Sequence, residues 1–178
     1  MDCDRSLADY RRAAQDVIAA HPIERLRLQV ISDSMWPLLR AGDAVIVQPI
    51  QAATIRVGDV LVARRGAELI THRLIASEGE QWLLRGDNAT FADTPVSRAA
   101  CLGRVIAIEN SLRQIDVTQP PWTQLNQRLG QIGRAPERLQ RWLSITPASP
   151  PLAIRLAWLT ALPFRAVAHI LALRAQAT

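Results

Sequence analysis

Residues 31–43 read Ile31-Ser32-Asp33-Ser34-Met35-Trp36-Pro37-Leu38-Leu39-Arg40-Ala41-Gly42-Asp43, and how this stretch is read decides the fold. A β-rich run, Leu26–Ile31, leads into it, and a second, Ala44–Val47, leaves it. Pro37, three residues after Ser34, has a fixed φ that opposes a helix, and Gly42-Asp43 is a tight-turn pair. Two readings fit. The stretch is either an ordinary β-turn, or a turn that holds a serine at a strand's end where its hydroxyl can do chemistry.

Working outward, β signals continue to about Val117. Candidate strands are Leu26–Ile31, Ala44–Pro49, Val60–Arg64, Leu69–Ile75, Gln81–Arg85 and Gly103–Glu109. Gly58-Asp59, Arg65-Gly66, Glu78-Gly79 and Gly86-Asp87-Asn88 punctuate them. Short strands at this spacing predict a mainly β fold, a small coiled barrel or sandwich. Before it, Leu7, Tyr10, Ala14, Val17 and Ile18 recur at helical steps, so residues 5–20 are expected as a helix that ends at His21-Pro22 and covers the β core. After Gln119-Pro120-Pro121 the composition turns to helix formers. Residues 122–144 read as one or two amphipathic helices broken near Gly130–Gly133, and residues 152–175 as an apolar helical segment interrupted by Pro163. The expected organisation is an N-terminal helix over 1–22, a β domain over 23–118 and a helical extension over 119–178.

Composition narrows the chemistry. At 178 residues and 49% hydrophobic, the chain can bury one sizeable core plus an appendage. Its two cysteines, Cys3 and Cys101, form neither a disulfide framework nor a zinc spacing. No metal or cofactor is expected. There is no lysine anywhere, which removes Schiff bases, Ser–Lys dyads and phosphate-loop lysines. Charge is unevenly distributed: residues 1–120 carry 14 Arg against 15 acidic residues, whereas residues 121–178 carry seven Arg and only Glu137. The N-terminus lacks the basic start and apolar run of a signal peptide, and no stretch approaches the ~18 uninterrupted apolar residues of a spanning helix. A cytoplasmic or peripherally membrane-associated protein is therefore expected. The tail can pack on the core, the favoured reading, or lie as an Arg-bearing helix in an anionic membrane interface.

The chemistry-bearing residues are Ser34, His72 within a later β run, and the acids of the loop that begins Arg85-Gly86-Asp87-Asn88. A serine hydroxyl needs a base during attack, and histidine has the pKa for that role near neutrality. His21 precedes a proline and His169 lies in the apolar tail, which leaves His72 as the candidate base. A carboxylate on the other ring nitrogen would fix its tautomer; Asp93 or Asp87 could supply it.

In order and spacing, Ser34-Met35-Trp36-Pro37, Arg40-Ala41-Gly42-Asp43, Val57-Gly58-Asp59-Val60, His72-Arg73, Gly86-Asp87-Asn88 with Asp93, and Gly103-Arg104-Val105 resemble the type I signal peptidases. The similarity is to the archaeal and endoplasmic-reticulum branch with its Ser-His-Asp site, and it covers roughly residues 26–108. The self-cleaving repressors share that protease fold but use lysine. The resemblance implies Ser34 as nucleophile, His72 as general base and Asp93 as its carboxylate. It implies Ser32 and the Ser34 N–H as oxyanion donors and Asp87 as a loop-orienting acid. Met35, Trp36 and Pro37 are the candidates for the substrate cleft, with Trp36 either lining it or simply packing. Two features depart from the family pattern: Asp33 stands where a glycine is common, and the usual N-terminal anchor is not seen.

The resemblance implies a serine endopeptidase that cleaves an extended, signal- or leader-like peptide after small residues. The alternative is a catalytically inactive peptidase-like module that binds a peptide or protein partner. A repressor-like regulator fits poorly, because residues 1–22 are too short for a helix-turn-helix and the tail arginines are dispersed among apolar residues. Nucleic acid is thus not an expected partner. Arg73, next to His72, is expected to point out from the opposite face of its strand.

Overall fold

The computed structural model describes residues 25–50, 55–110 and 114–176, and among these eight strands and two α-helices follow one another. They are β1 (Leu26–Gln29), β2 (Ala44–Pro49), β3 (Val60–Arg65), β4 (Glu68–Glu78), β5 (Gln81–Arg85), β6 (Val96–Ser97), β7 (Cys101–Glu109), β8 (Gln114–Asp116), α1 (Trp122–Trp142) and α2 (Pro151–Gln176). The strands form one antiparallel sheet in the order β1-β2-β7-β3-β4-β5-β6, with β8 added to β7. The sheet is not closed. The mainly β core with a helical tail is as the sequence predicts; the helix expected over 5–20 lies outside the described residues. β6 and β8 were not foreseen, because two or three residues are too few to display a period of two.

Alternation explains the core. Val60 and Val62 of β3 pack in a cluster with Leu28, Val45, Val47, Val105 and α1's Trp122, Leu125 and Leu129. Leu61 and Ala63 of the same strand pack in a second cluster with Ile70, Leu74, Trp82, Leu84 and Cys101. Both faces of β3 are therefore covered, which is why Val60–Ala63 is uninterruptedly apolar rather than alternating with polar residues. Fully burying side chains of this size stabilises the fold by ~1.5–3 kcal/mol each, before conformational entropy is counted.

α1 runs without a break through Gly130–Gly133, contrary to the sequence expectation. Gly130 serves close packing instead of ending the helix: a Cβ on it would stand 2.5 Å from the Gly58 Cα, and one on Gly58 would stand 2.4 Å from the Asn126 carbonyl oxygen. α2 likewise continues past Pro163, since a proline removes one hydrogen bond and need not end a helix. Pro151 takes the first helical position, where a missing N–H costs nothing. Arg73 does face away from His72, but it is fully buried and does not reach solvent. The reason is α1, which packs across β4 and covers that face.

Candidate active site

The turn that carries Ser34 is fastened at its base and at its tip. The Val30 N–H donates to Asp43 O at 2.8 Å and the Gly42 N–H to Val30 O at 2.9 Å. Within the turn, the Trp36 N–H donates to Asp33 O at 3.0 Å and the Leu39 N–H to Met35 O at 3.1 Å. Met35, Leu38 and Leu39 are buried in the core below, so the local sequence anchors the turn from beneath. The Asp33 carboxylate accepts the Ala41 N–H at 2.9 Å, which engages it with the far limb of the turn.

β4 delivers His72, and β5 delivers the loop that ends at Asp93, whose N–H donates to Leu84 O at 2.8 Å. His72 Nε2 lies 3.0 Å from Ser34 Oγ, and His72 Nδ1 lies 2.5 Å from Asp93 Oδ2. His72 is nine-tenths buried. With the proton on Nδ1 facing the carboxylate, Nε2 presents its lone pair to the serine hydroxyl, which is the arrangement a general base requires. Ser32 Oγ is 3.2 Å from Ser34 Oγ, so a second hydroxyl stands beside the first. Arg65, which the sequence reading passed over as a turn residue, donates from Nη1 to Asp93 Oδ1 at 2.7 Å and from Nη2 to Glu68 at 3.3 Å. Asp93 is thereby held from two sides.

Asp87 is not the histidine's partner. It is buried and accepts two bonds from Arg73, Nε to Oδ1 at 2.7 Å and Nη2 to Oδ2 at 2.6 Å. Arg73 Nη1 reaches Gly58 O at 2.7 Å and Asn126 Oδ1 of α1 at 2.8 Å. A paired, fully hydrogen-bonded guanidinium is the form in which a buried arginine is tolerated. The neighbouring Asn88 N–H donates to Ser34 O at 2.8 Å, and Asn88 Nδ2 to Asp33 O at 3.3 Å. Gly86 comes so close that a Cβ on it would be 2.6 Å from Ser34 O. The loop from Gly86 to Asp93 is further held by Arg85 Nη2, bonded to Ala89 O at 2.9 Å, and by Gln140 of α1, bonded to Thr90 O at 3.0 Å. Nothing local in the sequence marked Asn126 or Gln140.

Beside Ser34 and His72 runs a groove of about 330 Å³. One wall is Leu28–Ser32 and the other Glu68–His72, with Met35, Val62 and Arg65 completing the lining. Among the described residues, β1 has a strand neighbour only in β2, and β4 from Leu69 to His72 pairs with β3 alone, so both walls are sheet edges there. Of the residues expected at the cleft, Met35 lines it, whereas Trp36 and Pro37 lie outside its lining. No cluster of three or more metal-ligating side chains occurs among the described residues.

Two comparisons with known proteins bear on this arrangement. The Peptidase S24-like family model matches residues 4–106, more than half of the chain. Proteins from Staphylococcus aureus strains MW2 and COL, each named inactive signal peptidase IA, are 34% identical over 77 residues, which is 42% of this chain and 44% of each relative. The chain thus spans under half the length of the curated relatives it matches. With an open antiparallel sheet, a serine turn leading into the core and this match, the chain belongs to the Peptidase S24-like family.

Proposed function

We propose that the protein is a serine endopeptidase that cleaves an extended peptide after small residues. Ser34 Oγ is the nucleophile. His72 takes its proton during attack and later delivers it to the leaving amine, while Asp93 holds the imidazole tautomer and stabilises the imidazolium. The observation that carries the reading is the chain of contacts Ser34 Oγ–His72 Nε2–Asp93 at 3.0 and 2.5 Å. The Ser34 N–H and the Ser32 hydroxyl stabilise the oxyanion, and one such donor is typically worth ~3 kcal/mol of transition-state energy. The substrate adds as a strand between β1 and the first half of β4, with main-chain bonds giving affinity and alternate side chains entering the groove. Leu28, Val30, Val62 and Ile70 leave an apolar space that suits a small residue at the cleavage position.

A second reading is supported by the curated relatives, whose printed name calls them inactive. In it the groove binds a peptide and no bond is cut. A fluorophosphonate serine probe separates the two. Stoichiometric labelling of the folded chain, lost in both Ser34→Ala and His72→Ala, is the expected result. A folded wild type that stays unlabelled with or without detergent would leave the binding module as the function.

A further inference from the structure

We infer that the exposed apolar face of the C-terminal helix pair is a docking surface for an anionic lipid bilayer. Nine large apolar side chains are exposed among the described residues, and eight of them lie between Leu139 and Leu162. The pattern along α2 is inverted relative to an ordinary packed helix. At ~100° per residue, Leu152, Leu156 and Leu159 fall on one side together with Arg155. These leucines are 78%, 46% and 54% exposed, while Ala157 and Ala161, on the opposite side, are fully buried. α2 therefore turns its small residues toward α1 and its large apolar ones outward. The contact with α1 is polar at its centre: Gln140 Nε2 donates to Ala157 O at 3.2 Å and to Thr160 Oγ1 at 3.0 Å. Trp142, at the end of α1, is 79% exposed, and Trp158 is 46% exposed. Tryptophan beside leucine is the composition suited to the headgroup boundary, where one part of a ring is apolar and another is wet.

Charge selects the occupant. Residues 121–178 carry seven arginines and a single acid, Glu137, which is already 2.6 Å from Arg141. Arg134 is likewise met by Glu78 at 3.4 Å, but α2 carries the exposed Arg155 and no acid, so a second copy docked through this face would bring arginine against arginine. An anionic headgroup layer supplies that counter-charge. No described helix is long and apolar enough to cross a membrane, so the contact is one of lying on the surface.

The test uses the full chain and extruded vesicles of phosphatidylcholine, with and without phosphatidylglycerol, read by co-sedimentation. Partition into the anionic vesicles is expected to exceed that into neutral ones about tenfold and to weaken with salt. The triple variant Trp142→Ser, Leu152→Ser, Leu159→Ser, altered only at exposed positions, should keep its melting temperature and lose more than about tenfold in partition. Arg155→Glu should lose at least about fivefold. Ser34→Ala should bind vesicles as the wild type does, which keeps this outcome independent of the serine chemistry. Equal partition into both vesicle types, or full binding by the triple variant, would overturn the proposal. So would light scattering that shows a dimer abolished in the triple variant without vesicle binding by the wild type; the face would then belong to a second copy.

Discussion

A methyl group at Gly86 would stand 2.6 Å from the Ser34 carbonyl oxygen and 3.2 Å from His72 Nε2. The first contact is with backbone, which cannot rotate away, so the serine turn or the loop has to shift. Gly86→Ala is expected to cost ~1–3 kcal/mol of stability and to slow probe labelling about a hundredfold while far-UV circular dichroism stays native. Unchanged labelling by that variant would mean that the Ser34–His72 distance matters less than the geometry implies. Asp93→Asn tests the other end of the chain of contacts. An amide can donate to His72 Nδ1 and favour the wrong tautomer, so labelling is expected to fall ~10³–10⁴-fold with little change in melting temperature. Asp87→Asn is different in kind. It would weaken the buried bond to Arg73, and its effect should appear chiefly as lost stability.

At the scale of elements, α1 is more than a cover. Its Asn126 bonds Arg73, which bonds Asp87, and its Gln140 bonds Thr90 O, so the helix grips the loop between Gly86 and Asp93 at two places. The crossing at Gly58 depends on there being no side chain on either partner. Gly130→Ala sets two effects against each other. Alanine improves helix propensity by ~1 kcal/mol, but the added carbon would lie 2.5 Å from the Gly58 backbone. Overpacking wins, because backbone on both sides leaves nowhere to move, and a net loss of ~1–2 kcal/mol is expected in urea unfolding. A stabilised variant would show that α1 can slide on the sheet.

At the scale of the whole molecule, the missing lysines make alkaline pH informative. Burial pushes the Cys101 thiol up from 9.0 to about 11. The folded state therefore keeps its proton while the unfolded chain gives it up, so stability should fall as pH rises from about 9 to about 11, by at most ~2–3 kcal/mol. Chemical denaturation across that range checks it, and Cys101→Ala should flatten the dependence. Of the side chains that titrate there, only Cys3, Tyr10 and Cys101 are present in this sequence, so the background is small. Asp59 acts in the acid range with the same sign. Burial raises its carboxyl above 3.8, against a backbone bond from Arg56 and the nearby arginines, so its contribution declines as pH rises from 3.8 through the raised value.

What the sequence by itself determined lies in local conformation and composition. β-rich runs set off by turn residues marked six of the eight described strands, Ser34 was marked by the strand before it and the proline after it, and His72 was singled out by the lack of any lysine and the placement of the other histidines. Residue pattern left Asp87 and Asp93 open as the acid that faces His72, and only the resemblance favoured Asp93; the two are six residues apart on one loop, and the fold turns one to the histidine and the other to a buried arginine. Tertiary structure alone buried Arg73, turned Asp33 toward Ala41 and brought Asn126 to a strand 53 residues earlier. It also left the leucines of α2 outside. Backbone preferences act over a few neighbouring residues and can be read in order along a chain. Contacts across a core depend on which faces two distant elements present to each other, and short-range pattern carries no record of that.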